Sequence, residues 1–176
     1  MALERGYVHV YTGDGKGKTS AALGLCLRAV GHGLRCFVIQ FMKGNVEYGE
    51  LEAAKALGTG KLEIRQMGRE AREDSGPVQI DLKWAEDGLR LAAKVFEKGE
   101  HDVVVLDEVV GAVNRGLLKV DDVLRLLDKR PDGVEVVLTG TDAPPEILAA
   151  GHVVTVMRAE KHYAAVGVRK RAGIDY

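Results

Sequence analysis

Thr12-Gly13-Asp14-Gly15-Lys16-Gly17-Lys18-Thr19-Ser20 decides the fold. The stretch lies between Tyr7-Val8-His9-Val10-Tyr11, a short run of strand composition, and a helical period from about Lys18 to Val30 that Gly31 and Gly33 end. Glycines allow backbone N–H groups to turn inward around an anion, and the first turn of the following helix adds partial positive charge. Lys18 supplies a point charge and Thr19 a hydroxyl suited to Mg²⁺. Gly13, Asp14, Gly15, Lys16, Gly17, Lys18, Thr19 and Ser20 therefore read as a phosphate cradle, against the plainer reading of a tight turn built from glycines. The usual spacing G-x-x-x-x-G-K-[ST] is not met, because Thr12 stands at its first position and the first glycine comes one residue late, at Gly13. A tighter cradle is expected, holding a nucleotide in a pose unlike that of an ordinary ATPase.

Outward from this loop, apolar runs of about six residues alternate with helical periods, the pattern of βα units and a parallel sheet. Further strands are expected at Leu34 to Phe41, Lys61 to Gln66, Val103 to Leu106, Val134 to Leu138 and His152 to Met157. Helices are expected around Glu50 to Leu57, from Ile80 to Lys98, from Asp121 through Lys129, and in a short piece opened by Pro144-Pro145. In the long helix Leu82, Ala85, Leu89, Ala92, Ala93 and Phe96 form one apolar stripe, and Trp84 reads as core or helix packing rather than a ligand platform. The expectation is an α/β chain, a parallel sheet of about six strands flanked by helices, forming one domain over 1–176 with a mixed tail at 159–176. Met67 to Pro77, charged and without period, reads as a solvated loop or a lid.

Val103-Val104-Val105-Leu106 suits a central strand covered on both faces, and it ends in Asp107-Glu108. The segment resembles a Walker B strand facing the phosphate loop across the carboxyl edge of the sheet, where hard carboxylate oxygens suit Mg²⁺. An acidic strand end capping the next helix is the plainer alternative.

The balance of 25 Lys plus Arg against 26 Asp plus Glu gives a net charge of -1, so no global basic field exists to hold nucleic acid. With 1 Trp, 5 Tyr and 3 Phe the chain also offers few stacking platforms for unpaired bases. Cys26 and Cys36 cannot form a disulfide framework, and no Cys/His cluster at metal-ligand spacing accompanies them. Neither a signal region nor an apolar run long enough for a membrane span is present, so the expected setting is cytoplasmic. The five histidines are scattered, and no Ser-His-Asp or Cys-His arrangement indicates a protein nucleophile.

These residues, taken together, resemble the ATP-using corrinoid adenosyltransferases. The matching pieces are 12–19, Arg28-Ala29-Val30-Gly31-His32-Gly33, Val38-Ile39-Gln40-Phe41-Met42-Lys43-Gly44, Val104 to Glu108, Leu138-Thr139-Gly140, Lys161-His162 and the closing Gly173-Ile174-Asp175-Tyr176. The resemblance implies a P-loop NTPase or RecA-like three-layer sandwich. It implies that ATP lies in the loop in a reversed sense, its C5′ presented to the cobalt(I) of cobalamin or a precursor corrinoid. Cobalt attacks C5′ and inorganic triphosphate leaves intact, with the protein positioning the reactants and stabilising charge. The carried-over roles give Gly13 to Ser20 the triphosphate, Lys18 its charge, Thr19 and Glu108 the Mg²⁺ with Asp107 in support, and Arg28 a further phosphate-side candidacy. Phe41, Lys43, Tyr48 and Met67 are the corrinoid-side candidates, within the 41–48 segment and the 67–77 loop. A low-potential flavoprotein electron donor and a homodimer are implied as well.

Better-known members carry a Phe and a Trp in the segment matching Met67 to Ser75, thought to displace the lower axial ligand of cobalt. Here Arg69-Glu70-Ala71-Arg72 stands instead, and Thr139-Gly140-Thr141 replaces a frequent Thr-Gly-Arg. A P-loop ATPase or kinase forming ADP, and a nucleotide or corrinoid carrier without turnover, are the competing readings.

Overall fold

Where the sequence is apolar without interruption, the chain becomes the middle of a sheet. The computed structural model describes residues 3–44, 48–58, 60–69 and 78–175. In chain order it forms β1 (Val8–Thr12), α1 (Lys18–Gly31), β2 (Cys36–Phe41), α2 (Gly49–Leu57), β3 (Leu62–Met67) and α3 (Gln79–Lys98). Then follow β4 (Val103–Asp107), α4 (Val109–Asn114), α5 (Val120–Asp128), β5 (Glu135–Thr139), α6 (Pro145–Ala150), β6 (Val153–Val156) and a 3₁₀ turn at Tyr163–Val166. All residues of β2 and β4 are buried, as strands covered on both faces must be.

The strands pair in the order β3-β2-β4-β5-β1-β6, every pair parallel. Parallel neighbours need crossover connections, and the helices supply them on both faces. On one face α1 and α2 bury Ala22, Cys26 and Ala54 against Cys36, Val38, Val105 and Val137. On the other, a larger core joins α3, α4, α5 and α6 to Phe37, Ile39, Phe41, Leu106 and Leu138. Helix α3 packs against β2 through a missing side chain, since a Cβ on Gly88 would stand 2.6 Å from Cε1 of Phe41.

This arrangement brings the carboxyl ends of all six strands to one edge, and with them the β1–α1 loop and the end of β4. Backbone strain gathers at the same edge. Met42 follows β2 directly, Glu108 follows β4, and Asp142 lies three residues past β5; these are the non-glycine residues with positive φ among those described, at 56°, 61° and 53°.

The strand and helix expectations hold with shifts of one or two residues at most ends, but three details differ. Helix α4 was not anticipated; it begins directly after the left-handed Glu108 with no side-chain cap to announce it. In α3 the buried positions are Ala85, Gly88, Ala92, Val95 and Phe96, whereas Leu82 and Trp84 are exposed, the apolar stripe having rotated toward the sheet. Strand β6, at one edge of the sheet, is shorter than expected and exposed throughout. Cys26 and Cys36 are free and buried. No helix among the described residues is long and apolar enough to cross a membrane.

Phe41 is fully buried between β2 and α3. Phe41→Ala is expected to lower the unfolding free energy by about 3–5 kcal/mol, the range for emptying a buried aromatic site. Urea titration followed by circular dichroism checks this.

Candidate active site

The phosphate loop owes its path to glycines. Gly13 and Gly17 adopt φ of 97° and 119°, where side chains are strained. A Cβ on Gly13 would also come within 2.2 Å of the Met157 carbonyl oxygen. The loop is pinned against this segment, since Gly15 N donates to Met157 O at 2.7 Å and Met157 N to Thr12 O at 2.8 Å. Lys18, first residue of α1, folds back over the loop and donates from Nζ to the carbonyls of Gly13 (2.7 Å) and Gly15 (2.8 Å). Its ammonium thus sits where the loop's amides and the helix N-terminus add to one positive field. Asp14 accepts from Ala159 N at 3.1 Å. Lys16 points the other way, donating to Tyr163 Oη (2.6 Å), to the carbonyl of Ile174 (3.1 Å) and to the carboxylate of Asp175.

Beside the loop lies a buried carboxylate. Asp107 closes β4 with no solvent exposure and is surrounded by donors. Thr19 Oγ1 and Thr139 Oγ1 each donate to its Oδ1 at 2.8 Å; Lys43 Nζ at 2.8 Å and Gln40 Nε2 at 3.3 Å reach its Oδ2. Gln40 Nε2 also donates to Glu50 (2.9 Å), and Gln40 Oε1 accepts from Gln66 (3.2 Å), so the network extends from β4 to α1, β5, β2, α2 and β3. Burial alone would lower the Lys43 pKa, but the charge and hydrogen bond of Asp107, with Glu50 nearby, hold it above the ordinary lysine value. Lys43 therefore stays charged, and its ammonium lies 5.2 Å from the ring centre of Tyr48.

Glu108 differs from its neighbour. Its left-handed backbone turns its N–H onto Thr139 Oγ1 at 2.8 Å, while its Oε2 occupies the space that a Cβ on Gly111 would need, 2.6 Å away. Its carboxylate takes no hydrogen bond or ion pair from any described residue. Burial raises its pKa, and the charge of Asp107 raises it further, against partial relief from Lys43 and Lys18. An under-solvated carboxylate beside a hydroxyl and a phosphate cradle is a set of hard oxygen donors. Among the described residues no group of three or more Asp, Glu, His or Cys gathers as a closed metal site. The set suits a cation that takes its remaining ligands from phosphate and water, as Mg²⁺ does.

Thr19 and Ser20 border a cleft of about 250 Å³ whose other walls are Leu23, Lys43, Tyr48, Gly49, Glu50 and the tail residues Gly173, Ile174 and Asp175. The structure thus brings together Gly13 to Ser20, Asp107, Glu108, Lys43 and Tyr48. Other candidates lie elsewhere. Arg28 is in the last turn of α1, about 15 Å along the helix from Lys18, in an apolar hollow with Tyr7, His32 and Glu135 at the opposite edge of the sheet. Phe41 is core, and Met67 ends β3 with its carbonyl accepting from Met42 N at 3.0 Å. Residues 45–47 and 70–77, within the two segments assigned to the corrinoid side, lie outside the described residues. Gln40, Glu50 and Thr139 were not singled out as site residues, although a lone glutamine within Phe37-Val38-Ile39-Gln40-Phe41 is the kind of interruption that marks a buried polar role.

The family model of the ATP:corrinoid adenosyltransferase BtuR/CobO/CobP matches residues 4–176. The chain is 35% identical over 173 residues to a corrinoid adenosyltransferase of Pseudomonas aeruginosa, an alignment covering 98% of this chain and 85% of that protein. It is 34% identical over 173 residues to the corrinoid adenosyltransferase of Escherichia coli K12, covering 98% and 87%. Corrinoid adenosyltransferase CobA of Salmonella typhimurium is 34% identical over 175 residues, at the same coverage of 98% and 87%. Among solved structures, the KaiC-like protein PH0186 of Pyrococcus horikoshii superposes with a TM-score of 0.59 at 17% identity, covering 91% of this chain and 76% of that one, a likeness of fold.

The raised pKa of Glu108 has a consequence for stability. Between the unfolded and folded values the native state holds a proton that the unfolded chain releases, so rising pH destabilises the fold through this residue. Glu108→Gln is expected to raise the urea midpoint at pH 7.5, with the advantage over the parent shrinking as pH falls through the raised folded value and gone below the unfolded glutamate value. Paired titrations across that range check the sign.

Proposed function

This chain belongs to the ATP:corrinoid adenosyltransferase BtuR/CobO/CobP family, and from that membership we propose how its own residues divide the work of moving the 5′-deoxyadenosyl group of ATP to the cobalt(I) of a corrinoid. The observation that carries the assignment is the junction of loop and strand: Lys18 folded over the cradle, with the Thr19 hydroxyl 2.8 Å from the Asp107 carboxylate. The triphosphate of ATP lies in the loop from Gly13 to Ser20, where the amides, the N-terminus of α1 and Lys18 meet its charge. Thr19 and Glu108 would hold Mg²⁺, with Asp107 orienting the threonine from behind. Bound there, the cation would neutralise charge on the leaving triphosphate.

Asp107 is already occupied by four donors, so it serves as an anchor, and Glu108, with no donor to its carboxylate among the described residues, is the carboxylate available to a metal. That division agrees with the roles the resemblance implies. No protein nucleophile is required. Cobalt(I) supplies the electron pair of the Co–C bond, which forms as the C5′–O bond breaks, and the C5′–O bonding pair leaves on the triphosphate oxygen. The protein's part is to hold C5′ in line and keep the leaving charge stabilised. Lys43 and Tyr48 line the cleft that Thr19 and Ser20 border, which supports reading them as corrinoid-side residues.

We further read residues 1–176 as one nucleotide-binding unit with its tail at 159–176, acting as a homodimer that receives electrons from a low-potential flavoprotein. The exposed apolar edge strand β6, with Val153, Val154 and Val156 all open, supports the pairing of copies.

The test is the fate of ATP when protein, Mg²⁺ and chemically reduced cob(I)alamin are mixed without oxygen. Intact triphosphate is expected, one for each light-sensitive adenosylcobalamin formed. Lys18→Ala is expected to lower kcat/KM by about 10²-fold or more. ADP and phosphate without a cobalt–carbon product, or full activity in Lys18→Ala, would overturn the assignment.

A further inference from the structure

The phosphate loop packs against the segment that follows β6. Thr12, Gly13, Asp14, Gly15 and Lys16 each meet the segment from Met157 onward, by backbone hydrogen bonds, by close packing or through side chains. The strongest of these contacts centres on Lys16. Its ammonium is held by Tyr163 Oη at 2.6 Å, by the Ile174 carbonyl at 3.1 Å and by the Asp175 carboxylate, whose Oδ1 also accepts from the Tyr163 hydroxyl. Asp175 is fixed in turn. Its Oδ2 accepts from Arg171 N at 2.9 Å, its own N–H bonds Arg171 O at 2.8 Å, and the Arg171 guanidinium stacks 4.6 Å from the Tyr163 ring centre. Only a tenth of the Asp175 side chain is exposed.

A loop with glycine at 13, 15 and 17 has many backbone states, and whatever does not fix it beforehand must be ordered when the nucleotide binds. Lys16 is flanked by two of those glycines, so a side-chain anchor at this position constrains the part of the loop least able to constrain itself. Ile174 and Asp175, with Gly173, also wall the cleft beside Thr19 and Ser20.

We propose that Asp175 and Tyr163 are positioning residues for ATP: by holding Lys16 they keep the phosphate loop in its binding conformation. The inference rests on the assignment of the loop to the triphosphate. Lys16 is then a tether of the loop rather than a second phosphate ligand, and Lys18 carries the charge alone. An arrangement in which Lys16 leaves Asp175 to bind phosphate makes the opposite forecast, because freeing the lysine would tighten ATP binding.

Isothermal titration of the full chain with Mg²⁺ and ATP, before any corrinoid is added, gives the direct readout, with KM and kcat measured alongside. Asp175→Asn and Tyr163→Phe are each expected to weaken ATP binding and raise KM for ATP about tenfold, with kcat changed by less than about threefold. In a Lys16→Met background the Asp175→Asn change is expected to add nothing, the coupling that a double-mutant cycle measures. Tyr163→Phe keeps the ring under Arg171 and serves if Asp175→Asn does not fold. ATP affinity within twofold of the parent in both single variants, or tighter, would overturn the proposal; so would a loss that persists undiminished in Lys16→Met. Lys18→Ala separates the two levels. If it too leaves ATP affinity unchanged, the loop assignment has failed; if it alone weakens binding, only the tether has.

Discussion

A charge removed from water must be met by other charges or donors, and Asp107 is the place where this chain obeys that rule most strictly. Its carboxylate is wholly buried at the end of the central strand, and each of its donors comes from a different element: Thr19 from α1, Thr139 from β5, Gln40 from β2 and Lys43 just beyond it. To satisfy one side chain, three strands and the first helix must stand in a single relative arrangement. The geometry of the phosphate loop follows from this, because α1 begins at the loop and is fastened by its second residue. Glu108 inherits the complement: with the donors drawn to Asp107, the next carboxylate along the chain is left partly buried and without a partner among the described residues, in a strained backbone.

Much of the fold was legible because it depends on local pattern. Apolar runs such as Val103 to Leu106 and Val136 to Leu138 lie in strands, glycines punctuate the helices, and the glycine–lysine loop sits between strand and helix as its chemistry requires. Helix α4 was not legible, since a six-residue helix opened by a left-handed glutamate carries none of the capping chemistry by which helices are recognised. Trp84 and Leu82 misled for a related reason: several faces of a helix rich in apolar residues fit a stripe, and the sheet, not the helix, chose among them.

The candidate site was legible where a motif names its residue and illegible where the partner is distant in sequence. Lys18, Thr19, Asp107 and Glu108 belong to recognisable segments. The donors Gln40 and Thr139, and the anchors Tyr163 and Asp175, come from parts of the chain whose roles depend on which strands lie side by side. Lys16 shows the difference most clearly. By type it could serve a phosphate as Lys18 does, although Lys18 alone stands before the threonine, and the tail that packs against it, far along the chain, takes up its ammonium.

The sheet order has a bearing on how the protein is made. β1 leaves the ribosome first, yet its neighbours are β5 and β6: Val8 pairs with Val136, and His9 with both Val137 and Val153. The strand that carries the phosphate loop therefore waits, without a hydrogen-bonded neighbour, through the synthesis of most of the chain. Meanwhile β2, β3 and β4 can already align with one another. Such long-range pairing is slow, and an unpaired apolar strand such as Val8-His9-Val10-Tyr11 is a point of vulnerability to misassociation during that interval. The nucleotide site is completed last, although its signature is written almost at the start.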